Sequence, residues 1–387
     1  MPEQITPLSV LFLLLYGAGI AVDVLLCLYL LLCDGKAIAP SITPPVRLRR
    51  WAAATFGVMA LVHLWWLLFY LYLGDIHSLC YGLLIALDSM AMPTVFVGTL
   101  LAMLQDRRRP VWPVVVALIP CAVLAILYVV LPDIDIITPS IVYRVMLVAA
   151  FIVYMVVAVR QYGRWLCMNY ADLEHKEMWR CHTLFIGFIL LLMVNDITDN
   201  YVMSIIIHLM AFPLSGVLLW RVETLPQLEE EAAEQEEDIL PETDILPEPT
   251  EIQEHELSIP CLQREEQVAA DTFAYIGELL EKYCEEAQLY LQQDLSLTQL
   301  SAAIGTNRSY LSQYFASQGT SYYAYIHDLR IRHFIRRYNE TRSDSQPIGV
   351  QQLAQESGFH SYSTFSTAFK QRMNQSVFAW MHEDEEE

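Results

Sequence analysis

LAQESGFHSYSTFSTAFK, from Leu353 to Lys370, is the stretch that organises the rest of this chain. Leu353 and Ala354 begin an apolar helical face, and Gly358 supplies a sharp turn. Phe365 and Phe369 then recur four residues apart on a second helix. The same plan stands 53 residues earlier, where Leu300-Ser301, Gly305, Leu311 and Phe315 match Leu353-Ala354, Gly358, Phe365 and Phe369. In that earlier copy Ser296-Leu297-Thr298-Gln299 forms a capping box, opening a helix whose Leu300, Ala303 and Ile304 face inward. Asn307 caps the following helix. There Leu311, Tyr314 and Phe315 pack, while Arg308, Ser309, Ser312 and Gln313 project outward. Residues 323–339 predict a long helix joining the copies and bearing Arg330, Arg332, Arg336 and Arg337.

Everything before residue 222 has a different character. The chain is 55% apolar, and most of that content precedes Trp220. Seven apolar stretches fall at 8–33, 51–73, 78–104, 111–131, 140–160, 181–194 and 201–220. Most have the ~20 residues needed to cross ~30 Å of hydrocarbon; the sixth is the shortest. The first is too long for a signal-peptide core and has no basic leader, so it is expected to be retained. Of the thirteen basic residues up to Arg221, twelve fall in alternate loops or flanks, on one side of the expected bundle. They are Lys36, Arg47, Arg49, Arg50, Arg107, Arg108, Arg109, Arg160, Arg164, Lys176, Arg180 and Arg221. The opposite loops hold Asp75, Asp133, Asp135, Asp196 and Asp199. This bias predicts cytoplasmic basic loops, an outer amino terminus and an inner carboxy terminus, with Trp51, Trp112 and Trp220 as interfacial anchors.

Ionisable groups at membrane depth are costly and mark candidate sensing sites. Here they are Asp23, His63, Asp88, His208 and Arg144, with Asp88 and Arg144 as a candidate pair. Pro93 is expected to kink the third span. The alternative role of all these groups is structural, as hydrogen bonds holding the bundle. An intramembrane aspartyl protease is disfavoured because Leu73-Gly74-Asp75 lacks a further glycine and Asp75 sits at a span end. The eight cysteines are scattered without a C-x-x-C pair, so neither a metal site nor a disulfide framework is expected. The soluble part shows no nucleophile–base pair and no phosphate loop, so an enzyme is the least favoured class and no cofactor is expected.

The net charge of -21 is unevenly spread. Residues 222–260 carry 14 acidic side chains and no Lys or Arg, with DILPE twice, at Asp238–Glu242 and Asp244–Glu248. Such composition predicts a disordered spacer. From Tyr290 to Met381 eight basic residues face five acidic ones. Just before, Ala269, Phe273, Ile276, Leu280 and Tyr283 form a stripe at 4-3-4-3 spacing, suited either to a dimer seam or to packing on its own domain.

The tandem units, with Gly358-Phe359, Phe365 and Phe369-Lys370 in the second, resemble the DNA-binding domain of the AraC/XylS family over roughly 295–381. The arrangement as a whole is similar to its membrane-anchored members with several amino-terminal spans. The resemblance implies two helix-turn-helix units on double-stranded DNA. Arg308, Ser309, Ser312 and Gln313 in the first, and Tyr362, Ser363 and Thr367 in the second, would face bases. Asn307, Lys370, Arg330, Arg332, Arg336 and Arg337 would hold phosphates. Four features depart from the family pattern, one of them the Phe315-to-Gly319 turn of the first unit, which is about one residue short. Asn374-Gln375-Ser376-Val377 replaces a Gly-x-Ser/Thr-Pro turn, Trp380-Met381 replaces an aromatic-Arg pair, and Thr367 replaces a longer side chain. The second unit is therefore expected to grip DNA weakly.

The expected fold is all-α: a seven-helix transmembrane bundle (1–221), an acidic linker (222–262), a helix (263–289), a tandem helix-turn-helix domain (290–382) and an acidic tail (383–387). The expected partners are DNA, the lipid bilayer of a bacterial cytoplasmic membrane, a second copy of the chain, a small-molecule or protein signal, and RNA polymerase. The competing reading is a seven-span receptor whose carboxy-terminal domain binds a protein and not DNA.

Overall fold

A computed structural model describes residues 7–33, 38–40, 42–72, 79–131, 133–173, 176, 178–198, 201–228, 272–343 and 349–386. The described residues are helical with no strands. They divide into two compact units, one of Met1–Tyr162 with His175–Ile239, the other of Gly163–Glu174 with Leu240–Glu387.

The first unit holds α1 (Pro7–Leu32), α2 (Val46–Tyr72), α3 (Leu79–Ala102), α4 (Trp112–Val130), most of α5 (Ile137–Asn169), α6 (Trp179–Thr198) and α7 (Tyr201–Thr224). Six of these are long and apolar enough to cross a membrane; in α6 the apolar part, Trp179–Val194, is shorter. The polarity is inverted relative to a water-soluble bundle. Leu14, Leu25 and Leu32 of α1 are 67%, 65% and 77% exposed, whereas Asp23 on the same helix is 3% exposed. Leucines outward and a carboxylate inward is the arrangement hydrocarbon solvent favours.

α2 packs on α1 and α3, and α3 on α4. At Gly98 a Cβ would come within 2.3 Å of the Trp51 ring, so the α2–α3 approach requires glycine there. Beside it the Thr55 and Thr99 hydroxyls lie 2.8 Å apart. Trp51 thus rests on a neighbouring helix, while Trp112 and Trp220 are exposed. Pro93 lies inside α3, as Pro120 does in α4 and Pro213 in α7.

The first seven residues of the expected linker, 222–228, are described with the first unit. α7 runs to Thr224, and Leu225 and Leu228 are buried. Gln105 clamps that stretch, donating to the Pro226 carbonyl (3.1 Å) and accepting from the Leu228 amide (3.0 Å). Two leucines and a bidentate amide hold 225–228 on the first unit against their acidic surroundings. The linker from 229 to 262 lies outside the described residues, as do Lys36, Asp75, Asp199 and Ala269, and the side chains of Asp196 and 383–387.

In the second unit, α8 spans 272–280 and continues as a π-helical turn at Glu281–Glu286. α9 (Leu297–Ile304) and α10 (Arg308–Ser317) form the first helix-turn-helix. α12 (Val350–Glu356) and α13 (Tyr362–Met373) form the second, followed by α14 (Val377–Glu386). α11 (Tyr322–Ser343) joins them and serves both cores. Its Tyr322, Ile326 and Leu329 pack with Leu300, Leu311 and Phe315; its Ile331, Phe334 and Tyr338 pack with Leu353, Phe359, Phe365 and Phe369.

The 4-3-4-3 stripe is used inside this domain. Ile276 and Leu280 are 2% exposed within the first core, which leaves them unavailable as a dimer seam. The extra residue accommodated by the π turn puts Cys284, fully buried, where Tyr283 was expected, and turns Tyr283 outward at 40% exposure.

Candidate nucleic-acid interface

Each unit presents its second helix through a local capping device. Ser296 and Gln299 form the reciprocal capping box of α9, and Gly305 ends that helix at φ +71°, in the left-handed region. The Asn307 side chain accepts the Ser309 amide at 2.8 Å and caps α10. In the second unit Ser361 does the same for α13, accepting from the Thr364 amide. Gly358, at φ +89°, is required twice over. A Cβ there would lie 2.9 Å from the Leu291 carbonyl oxygen and 3.0 Å from Arg330 Nε, as well as being strained.

On α10, Ser309 and Gln313 are exposed, and Arg308 and Ser312 are half-buried. Arg308 is not extended to solvent: its Nη2 donates to Asn169 Oδ1 at 2.6 Å. On α13, Tyr362, Ser363 and Thr367 are exposed. The Thr367 hydroxyl donates back to the Ser363 carbonyl at 2.9 Å, which shortens its reach further. Ser366, Thr367, Lys370 and Gln371 line one shallow surface concavity.

The joining-helix arginines separate by environment. Arg330 is 0% exposed, and its assignment to DNA phosphate is wrong. Its Nε and Nη2 donate to the Tyr290 and Gln292 carbonyls, each at 2.8 Å, and its Nη1 lies 3.2 Å from Asp172 Oδ1. The fork is an internal clamp for the 290–292 turn, with the guanidinium carbon 5.8 Å from the Phe359 ring centroid. Arg332 is exposed and pairs with Asp328, which Arg372 also meets. Arg336 is exposed, and Arg337 pairs with Glu340 at 2.9 Å. Surface pairs of this kind are weak enough to exchange for a phosphate.

Four surface residues were missed by sequence reasoning. Tyr310, 53% exposed on α10, lies three residues before Gln313 on that face. Ser366 follows Ser363 by three residues and Gln371 follows Thr367 by four, and Arg372 shares Asp328. Helical periodicity carried from Gln313 and Ser363 would have found the first three; the Asp328 pair depends on the fold.

Two histidines are buried beneath this surface. His327 Nε2 lies 2.8 Å from the Ala171 carbonyl oxygen, so the ring donates there, while the buried Nδ1 has no hydrogen-bond partner among the described residues. Burial, reinforced by the Arg330 cation, pushes its pKa down to about 4. His333, within 3.3 Å of the Ser357 hydroxyl, is lowered too, first by burial and then by Arg336 and Arg337. Burial pushes the Cys284 thiol up to about 12, which makes it a packing group and not a nucleophile.

In the first unit, three of the five expected membrane-depth groups come together. His63 Nδ1 lies 3.4 Å from Asp23 Oδ2, and the His63 and His208 ring centroids are 5.8 Å apart. Tyr16, which sequence reasoning passed over, lies between them with centroids 4.9 Å from His63 and 5.2 Å from His208. Asp88 and Arg144 sit on α3 and α5.

Residues 284–382 match the family model of a helix-turn-helix domain, about a quarter of the chain. No curated protein and no solved structure matches the chain. The matched span begins at the buried Cys284 and ends within α14, so it takes in both capped units and α11.

Proposed function

We propose that this protein is a membrane-tethered, sequence-specific transcription regulator of the AraC type. The helix-turn-helix match over 284–382 is the observation that carries the reading, on a chain whose described residues include six helices long and apolar enough to span a bilayer. DNA is the partner such a domain supports. Ser309, Gln313, Tyr362 and Ser363 are exposed on the two second helices, where side chains reach base edges in successive major-groove segments ~34 Å apart.

The positive-inside bias of the basic residues in the amino-terminal half supports a cytoplasmic carboxy-terminal domain. The Asp23–His63–His208 cluster is the favoured sensing site, because a buried carboxylate and two imidazoles brought together between helices offer polar groups to a signal in an apolar bundle. The apolar stripe being internal, dimerisation would use another surface, and contact with RNA polymerase belongs to the same reading.

Chromatin immunoprecipitation of the full-length, carboxy-terminally tagged protein tests this. Discrete peaks sharing a motif, lost when Gln313→Ala and Ser363→Ala are combined, are the expected result. Abundant intact protein without enrichment would favour a receptor whose domain docks a protein.

A further inference from the structure

The core of the first helix-turn-helix contains a residue from far outside it. Ala171, at 0% exposure, packs with Ile276, Leu295 and Leu297, although the matched domain begins only at residue 284. Ala171 belongs to Gly163–Glu174, the last turns of α5 and the residues that follow, which groups with this domain. The segment enters as a strand would. Tyr170 and Ser296 form an antiparallel bridge, the Ala171 amide donates to the Leu295 carbonyl (3.3 Å), and the Ala171 carbonyl accepts from His327. Asp172, 2% exposed, takes the Asp294 amide on Oδ2 at 3.0 Å and meets Arg330 Nη1. Asn169, 8% exposed, accepts Arg308 Nη2. Four consecutive buried residues thus make backbone pairing, an ion pair and a side-chain hydrogen bond to one face of the domain.

Arg308 is the first residue of α10, and the amino-terminal end of a recognition helix is the part that contacts base edges. An arginine reads guanine with both arms of its fork; here one arm is held by Asn169. We propose that Asn169–Asp172 is a built-in ligand of the DNA reader. It is seated between the 290–296 turn and α11, and while docked it withholds Arg308 from DNA. Release of this segment, which runs from the last residue of α5 into the connection to α6, is the step that makes the first unit competent. The route from membrane to DNA then needs no passage through the acidic linker. This rests on the DNA-binding reading above.

An antiparallel bridge places facing Cα atoms about 4.5–5.5 Å apart, within the range a disulfide spans. Full-length Tyr170→Cys/Ser296→Cys protein in lipid nanodiscs, kept reduced, would select duplexes from a randomised pool. Affinity for the winning duplex is then read before and after oxidation, with each single-cysteine variant oxidised in parallel. The reduced state controls for the lost Ser296 cap. The expected result is ready crosslinking of the double variant alone, with DNA bound about tenfold more weakly when crosslinked, the equivalent of one arginine base contact. Failure to crosslink overturns the docking. Crosslinking with equal or tighter binding overturns the withholding and leaves DNA reading intact. No enrichment from the pool overturns DNA reading, and the withholding with it.

Discussion

Arg330 and Lys370 carry the same charge and have opposite duties. Arg330→Ala would strand the Asp172 carboxylate and two turn carbonyls in a dry core, and removing one member of a buried pair costs about 3–5 kcal/mol. Thermal unfolding of the full-length protein in nanodiscs is expected to show a large loss of stability. Lys370→Ala touches only the exposed face of α13. It should leave the melting temperature unchanged and lower the slope of log affinity against log salt by about 0.9, the signature of one phosphate contact. His327 makes stability depend on pH. Its folded pKa, about 4, lies below the ordinary value of 6.5, so the unfolded chain takes the proton first. The stabilisation is complete above pH 6.5 and is lost as pH falls towards 4, by about 3 kcal/mol. His333 acts with the same sign. The drop in melting temperature from pH 7 to pH 4.5 should therefore be smaller in His327→Gln than in the native chain.

Among the elements, the turns and caps decide whether two short helices can present a surface at all. α9 has eight residues and α12 seven, too short to persist without packing and capping. Ser361→Ala removes the α13 cap and should cost about 1 kcal/mol. Gly358→Ala should cost clearly more than Gly305→Ala. Both sit at positive φ, but only at Gly358 does a Cβ run into the Leu291 backbone. Phe365→Ala, with a fully buried ring against Phe334, Phe359 and Phe369, should cost about 3–5 kcal/mol and dismantle the second unit. Chemical denaturation of the full-length protein, followed by the near-ultraviolet signal, ranks the four. A milder loss in Gly358→Ala than in Gly305→Ala would contradict the close approach at Leu291. These devices were legible beforehand because they are local: a capping box, an Asn cap and a glycine turn need only neighbours in sequence. The dimer seam was not decided there, since a 4-3-4-3 stripe has the same pattern whether its partner is another chain or its own domain.

For the whole molecule, the decisive arrangement is a stack of apolar helices and a basic, doubly capped helical domain on one chain. A reporter active only outside the cytoplasm, fused after Glu387, should be silent, and activity there would reverse the proposed topology. Sequence alone determined the all-α class, the apolar helices, both helix-turn-helix units and the exposure of Ser309 and Gln313 on α10 and of Tyr362, Ser363 and Thr367 on α13. Those features follow from periodicity, run length and capping, which act over a few residues. Only the tertiary structure decided that Arg330 is an internal clamp: it lies on the face of α11 that buries Ile326 and Phe334, away from the exposed Arg332 and Arg336, and its partners at 172, 290 and 292 come from elsewhere in the chain. It likewise decided that Asp23, His63, His208 and Tyr16 meet, and that Ala171 and Asp172 complete the first core. Contacts across 40 to 192 residues leave no periodic trace, since the partners of a buried charge are chosen by where the chain returns, and composition carries no record of that.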